Sequence, residues 1–211
     1  MNQPDFSKVF QPEQRLRPDR DDIILRPYNI GELVLTSGKL VACDPLVNPN
    51  SEPFAISLTP GRYPVILSVA HISSNNDSRV AYAMLRLSEK NAVRWEMALL
   101  PDEDLNLLSD DEVFGYGVDS GTGCFMDEEV GLMINESIFE ASYEKTLTTK
   151  LEEALSKHDI STWCWANFCV DESNQANVIA FSSGWGDGTY ATYFGYDEEG
   201  NIVNVVTDFE V

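Results

Sequence analysis

The sequence lacks the segments that would direct the protein into a membrane or a secretory route. Its 211 residues contain no run of about 18 apolar residues, so no membrane-spanning helix is expected. The N-terminal segment MNQPDFSKVFQPEQRLRPDRDD has no apolar core of the kind that signal peptides carry. The four cysteines form no C-x-x-C pair, and without an export signal we expect reduced, mostly buried thiols. These absences predict a protein of the bacterial cytoplasm.

Basic residues are scarce in the second half of the chain. The formal net charge is −21. Residues 1–95 carry 11 Lys and Arg against 10 acids, whereas residues 96–211 carry 3 Lys, no Arg and 25 acids. A region as acidic as residues 96–211 repels the phosphate backbone of nucleic acids. We therefore expect no nucleic-acid partner. It attracts cations or a basic protein surface, although such acids also serve solubility alone.

Short apolar stretches between turn residues indicate a β-rich fold. The segment ELVLTSGKLVAC (32–43) has two apolar runs around Ser37-Gly38, a pattern typical of a hairpin. Residues 61–71, 78–88 and 91–99 are strand-like and separated by polar turns. They predict an antiparallel meander.

A helical excursion is predicted near residues 127–158, followed by further strands. Asp127 is placed to cap a helix with an acidic first turn, where the helix dipole favours acids. An apolar side chain then recurs at every fourth position, at Tyr143, Leu147, Leu151 and Leu155. The chain is thus predicted to be α+β with a mostly antiparallel sheet. Residues 1–21 are expected to form a polar arm and residues 22–211 a single domain.

The segment GYGVDSGTGCFMDEE (115–129) concentrates glycines and small polar residues. It does not match a P-loop, a dinucleotide-binding fingerprint, an EF-hand loop or a nucleophile elbow. Two interpretations remain. The glycines permit a tight strand-to-helix crossover in which Asp127 only caps, or they let a ligand approach the backbone between Asp119 and Asp127.

Two further turns carry the same kind of residues. FSSGWGDGTY (181–190) again combines glycine with serine and aspartate, and Asp44 ends a strand just before a proline. Three Asp-bearing turns, at Asp44, Asp119 and Asp187, are what a site for a divalent cation would need. The wider set predicted to bind a ligand is Asp44, Arg62, Asp119, Ser120, Thr122, Asp127, Ser183 and Asp187.

Several of these motifs together resemble a known family. SGKLVACDP, PGRYPV, GYGVDSGTGCFMD, FSSGWGDGTY and VVTDF are similar to the bacterial family DUF4241, and the likeness runs from about residue 30 to the C-terminus. The resemblance implies a single bacterial domain. It also directs attention to Asp44, Arg62, Asp119, Asp127 and Asp187. The family's function is unknown, so no catalytic residue is carried over.

Three functions are compatible with these features. The first is a binding domain that holds a divalent cation or a small polar molecule at the Asp- and Gly-rich turns. The second is an acidic immunity-like or antitoxin-like protein that neutralises a basic partner through residues 96–211. The third is a hydrolase that uses carboxylates of the same turns as general base or metal ligands.

Overall fold

The protein folds as antiparallel sheets with two helices, as the sequence predicts. A computed structural model describes residues 4–17, 20–109, 112–140, 146–158, 160 and 162–211. Its strands are β1 (Gln14–Arg17), β2 (Arg20–Leu35), β3 (Leu40–Cys43), β4 (Gly61–Ile72), β5 (Asp77–Arg86), β6 (Arg94–Met97), β7 (Tyr116–Val118), β8 (Thr122–Asp127), β9 (Trp165–Asp171), β10 (Ala176–Ser182), β11 (Gly188–Tyr190), β12 (Thr192–Tyr196) and β13 (Ile202–Asp208). The helices are α1 (Glu128–Glu140) and α2 (Leu147–Ser156).

Two of the sheets enclose the main core. The larger has the strand order β1-β2-β4-β5-β13-β12-β6, and the smaller has the order β3-β8-β10-β9. The main cluster of buried side chains includes Leu67 and Val205 from the large sheet and Phe125 and Phe181 from the small one. A third, two-stranded ribbon pairs β11 with β7. The core therefore lies between two antiparallel layers.

The helices cover the other face of the small sheet. Along β8, Phe125 belongs to the core between the sheets, while Cys124 and Met126 pack in a second cluster with Val130 of α1 and Leu151 of α2. Successive side chains of a strand point to opposite faces, so β8 contributes to one cluster on each side of the small sheet. The predicted helical excursion is confirmed. Tyr143, which begins the predicted stripe, lies outside the described residues.

The predicted hairpin around Ser37-Gly38 is wrong. β2 pairs with β1 and β4 in the large sheet, whereas β3 pairs with β8 in the small one. The turn carries the chain from one sheet to the other, with Gly38 at a φ of +84°. Two apolar runs around a glycine turn therefore indicate two strands here, but they do not indicate that the two strands pair with each other.

The predicted meander is only partly right. β4 pairs with β5 as expected, but β5 next pairs with β13, so that β13 and β12 separate it from β6. The sequence TYATYFGY (189–196) resembles one continuous strand, but β11 and β12, which it contains, belong to different sheets. The N-terminal residues pack on the domain as well: β1 extends the large sheet, and Phe6 is buried against Tyr82, Trp95 and Tyr193.

Candidate functional site

Asp44 is a buried carboxylate that joins two loops. It follows β3 directly and has 0% of its surface exposed. One oxygen accepts hydrogen bonds from Asp119 N–H at 3.0 Å and Ser120 N–H at 2.7 Å. The other accepts from the Ser120 hydroxyl at 2.8 Å and from the N–H groups of Leu46 and Val47 at 3.0 and 3.3 Å. The three bonds from Asp119 and Ser120 hold the loop before β8 to the end of β3, and the two from Leu46 and Val47 order the turn that follows Asp44.

Asp127 repeats the arrangement at the other end of the same strand pair. It ends β8, is also 0% exposed and faces Leu40 across the ladder. Its oxygens accept from Ser37 N–H at 2.9 Å, the Ser37 hydroxyl at 2.8 Å and Gly38 N–H at 3.2 Å. A fourth donor is Glu129 N–H at 3.1 Å, so Asp127 also caps α1 as predicted.

Antiparallel pairing explains why two such acids occur. In an antiparallel pair, the end of each strand lies beside the start of its partner. An acid at the end of β3 therefore meets the loop before β8, and an acid at the end of β8 meets the loop before β3. Both carboxylates meet backbone N–H donors that would otherwise be unsatisfied. This geometry supports the tight-crossover interpretation for Asp127.

The two glycine-rich segments meet in space. Ser183, which is buried, donates its N–H to the Gly121 carbonyl at 3.1 Å. Gly121 has a φ of +68°, a conformation that glycine adopts without strain. Asp119 and Asp187 flank the last pair of the β7–β11 ribbon, Val118 with Gly188, and both are exposed. The structure thus brings the Asp44, Asp119, Ser120 and Ser183 backbones into one loop cluster.

The remaining predicted ligand residues lie apart or are enclosed. Arg62 is exposed on β4, where it pairs with Val34, and it lines a separate shallow depression with Asn167 and Asn177. Thr122 is buried in the ladder opposite Ser182. Over the part of the chain that the structure describes, no group of three His, Cys, Asp or Glu side chains is arranged to hold a metal ion. Cation binding by Asp44, Asp119 and Asp187 stays a prediction.

All four cysteines are among the described residues, and none of them forms a disulfide. Cys43 and Cys124 face each other across the β3–β8 ladder with their sulfurs 3.7 Å apart, and both are buried. Burial raises the pKa of Cys124 well above its usual range, which keeps this thiol protonated. Cys164 and Cys169 are half-buried.

A cavity of about 210 Å³ opens beside the β7 strand. The first three residues of the glycine-rich segment, 115–117, form part of its wall. Its buried lining residues are Ala42, Cys43, Phe54, Ala98 and Thr192, and its exposed rim includes Asn48 and Glu52. The lining contains no Lys, Arg or His among the described residues. The space is therefore mostly apolar, with a rim that is polar and acidic.

Tyr116, which lines this cavity, carries a buried hydroxyl without a hydrogen-bond partner among the described residues. Burial raises the pKa of Tyr116 well above its usual range, and an interaction with the Thr207 side chain, which does not meet the geometry of a hydrogen bond, acts in the opposite direction. Thr207 shares a hydrogen bond of 2.9 Å with Thr192, which also lines the cavity. An unsatisfied buried hydroxyl costs about 1–3 kcal/mol. This oxygen has almost no exposed surface, so a ligand in the cavity reaches it only when the Tyr116 ring shifts.

Neighbouring glycines determine where that hydroxyl lies. A Cβ at Gly123 would stand 2.8 Å from the Tyr116 hydroxyl, so only glycine leaves room for the phenol over β8. Gly115 meets the Tyr190 carbonyl so closely that a Cβ would be 2.6 Å from its oxygen. Sequence reasoning selected the aspartates of this segment and missed Tyr116. The available signal was an aromatic residue between two glycines.

The fold and cavity define a small α+β domain with two antiparallel layers and one lined pocket at the glycine-rich segment. The family model described as "Protein of unknown function (DUF4241)" matches residues 33–207, which is most of the chain. The chain therefore belongs to this family, and the resemblance in the motifs is confirmed. Comparison with curated proteins and with solved structures gives no match. Neither described helix has the length and apolarity needed to cross a membrane.

Proposed function

We propose that this domain is a binding module whose site is the cavity beside Tyr116. The observation that carries the proposal is a mostly apolar cavity whose wall includes Tyr116, a residue with a buried hydroxyl that forms no hydrogen bond with the described residues. Ligand sites are typically apolar concavities with a few polar groups that fix the orientation of the ligand. Asp44 and Asp127 are less suited to this role, since their oxygens already accept five and four hydrogen bonds from the chain.

The size and charge of the cavity limit the class of ligand. A cavity of roughly 150 Å³ holds benzene, so about 210 Å³ fits a single ring with one or two substituents. Glu52 and Glu103 line the cavity without a basic counterpart, which disfavours an anion. The ligand is a small neutral or cationic molecule with an apolar body. Its one polar group, an amine or a hydroxyl, pairs with Tyr116 and Thr192.

The test is a fragment titration followed by ¹H–¹⁵N NMR. The probes are phenol, benzylamine and tyramine, with benzoate as the anionic control. We expect saturable shifts at the amides of Gly115, Tyr116, Gly117 and Thr192 with the first three probes and not with benzoate. Tyr116→Phe removes only the hydroxyl and is expected to weaken binding by about fivefold or more, because one hydrogen bond is worth about 1 kcal/mol.

The matched control is Tyr190→Phe. The Tyr190 hydroxyl donates to the carbonyls of Gly186, at 2.8 Å, and Ser183, at 3.3 Å, and it does not line the cavity. Its loss should leave probe binding unchanged. If no probe shifts these amides, or if Tyr116→Phe binds all probes as the wild type does, the proposal is wrong.

A further inference from the structure

A second and larger concavity lies on the other side of residues 97–100: Met97 and Leu99 line it, whereas Ala98 and Leu100 line the cavity at Tyr116. It is a groove of about 840 Å³ that runs along β6 and is also lined by the acidic loop, of which the structure describes residues 100–109 and 112–113. The side chains that form its apolar lining include Ile56, Trp95, Met97, Leu105, Val113 and Tyr193. Several of these are exposed although they are apolar: Ile56 by 42%, Leu105 by 48% and Val113 by 38%. Such a contiguous patch is typical of an interaction surface.

One wall of this groove is an unpaired strand edge. β6 is the last strand of the large sheet, and it pairs with β12 on one side only among the described residues. Ala98 N–H donates to the Thr192 carbonyl across that pair, at 2.8 Å. Because N–H and C=O groups alternate in direction along an antiparallel strand, Trp95 and Met97 present theirs to the other edge. On the same edge, just beyond β6, the Leu99 carbonyl already accepts from Ala55 N–H at 2.8 Å. The part of the edge at Trp95 and Met97 is able to accept a further strand.

The charge around the groove is mostly negative, although Arg94 stacks over the ring of Tyr196, which lines the groove. Glu96 and Glu112 line it, and the exposed acids Asp102 and Asp104 belong to the same loop. No Lys, Arg or His side chain lines the groove among the described residues, and residues 95–144 contain neither Lys nor Arg. Arg94, at the start of β6, forms an ion pair with Glu96. The rest of the rim is left with uncompensated negative charge.

We propose that this groove binds an extended, basic segment of a partner protein, which adds to β6 as a further strand. Alternate side chains of an added strand point to opposite faces, so one set fills the apolar lining and the other carries Lys or Arg toward the acidic loop. The backbone edge supplies hydrogen bonds, and the acids supply attraction at a distance. This surface is separate from the cavity at Tyr116, and its use does not depend on that cavity.

The probe is a synthetic peptide of about ten residues in which Lys alternates with Val or Ile. Two matched peptides accompany it: one with Glu in place of Lys, and one with N-methylated amides on the edge that would face β6. Binding is measured by fluorescence anisotropy at low and high salt, and the site is mapped by ¹H–¹⁵N NMR on the full chain. We expect binding of the basic peptide that weakens with salt, with shifts at Trp95, Met97 and Leu105.

A pair of charge variants locates the interaction. Asp102→Lys combined with Glu112→Lys reverses two charges beside the groove. Glu136→Lys combined with Glu152→Lys reverses two exposed helix acids and changes the net charge equally. The first variant is expected to weaken peptide binding by about tenfold or more, and the second by less than about twofold. Tyr116→Phe should leave peptide binding unchanged, which separates this proposal from the cavity.

Several results would overturn the proposal. These are no binding of the basic peptide, equal binding of the acidic peptide, or equal loss in both charge variants, which would indicate attraction to the net charge alone. Equal binding of the N-methylated peptide would contradict strand addition. A stable dimer with Trp95 and Met97 amides protected at every concentration would assign the groove to a second copy of this chain.

Discussion

Two neighbouring regions differ in whether their buried polar groups are hydrogen-bonded. At the ends of the β3–β8 ladder, Asp44 and Asp127 are fully buried, and each accepts several hydrogen bonds from the chain itself. Beside that ladder, the hydroxyl of Tyr116, a residue that lines the cavity, is buried and forms no hydrogen bond with the described residues. Tyr116 and Asp127 belong to the glycine-rich segment 115–129, and Asp44 is hydrogen-bonded to it.

The difference distinguishes a structural role from a functional one. A buried carboxylate whose oxygens are satisfied by backbone N–H groups stabilises the fold and has little left for a ligand. A buried hydroxyl without a partner has a hydrogen bond still to form. The aspartates, which look most like ligand residues in the sequence, are therefore better suited to stability, and the tyrosine is better suited to binding. The predictions below test this distinction.

The largest expected effect comes from removing the charge of a fully bonded carboxylate. Asp44→Asn places an amide N–H₂ among five donors, and we expect a loss of about 2–4 kcal/mol in the free energy of unfolding. Asp119→Asn changes an exposed side chain of the same loop and should alter stability by less than about 0.5 kcal/mol. Urea denaturation of both variants measures the difference. Equal stability of the two would show that Asp44 is not a structural anchor.

Two glycine substitutions compare a position with a positive φ with a position where an added Cβ meets no other atom. Gly121→Ala places a Cβ at a φ of +68° and is expected to cost about 1 kcal/mol or more. A Cβ added at Gly117 would have no atom within 4 Å, and its φ is not positive, so Gly117→Ala should be neutral or slightly stabilising. Thermal unfolding compares the two. A loss in Gly117→Ala as large as that in Gly121→Ala would contradict the assignment of strain to Gly121.

The two tyrosines of the β7–β11 ribbon should respond differently to loss of the hydroxyl. Tyr190→Phe removes a donor to the Gly186 carbonyl and is expected to cost about 1 kcal/mol. Tyr116→Phe removes a hydroxyl that has no partner among the described residues, so the ligand-free protein should be equally or slightly more stable. Denaturant midpoints with unchanged slopes are the measurement. A clear destabilisation by Tyr116→Phe would reveal a bond within the fold and remove the main support for the cavity site.

The smallest effect concerns Asp208, a carboxylate with one backbone donor, Glu210 N–H at 2.9 Å. Burial raises the pKa of Asp208 to about 6, and the neighbouring charge of Glu210 adds to the rise. Because the folded state holds this proton more tightly than the unfolded chain, its contribution to stability is complete below about pH 4 and is lost as the pH rises through about 6.

Asp208→Asn removes this contribution. We expect the stability of the variant to depend less on pH between about 4 and 6 than that of the wild type, as followed by melting temperature against pH. Parallel curves for the two proteins would show that Asp208 titrates normally in the fold.

Local sequence patterns were enough to predict much of the secondary structure. Alternating apolar residues placed β4, β5 and the later strands, and the apolar stripe with its acidic start placed the helical region. Asp127 was correctly predicted as a cap, because a cap depends on residues two or three positions away. The described residues of the acidic stretch 101–112 are mostly exposed. Asp110 and Asp111 of that stretch lie outside the described residues.

Strand pairing and the identity of the candidate site were decided by tertiary structure. Period-two alternation shows that a segment is a strand but not which strand lies beside it, so β2 and β3 resembled a hairpin although they belong to different sheets. Asp44 and Ser120 are 76 positions apart in the sequence, and they meet only because β3 and β8 pair. The Tyr116 hydroxyl is isolated for the same reason. Whether a buried group finds a partner depends on contacts between distant segments, which residue types and local spacing do not specify.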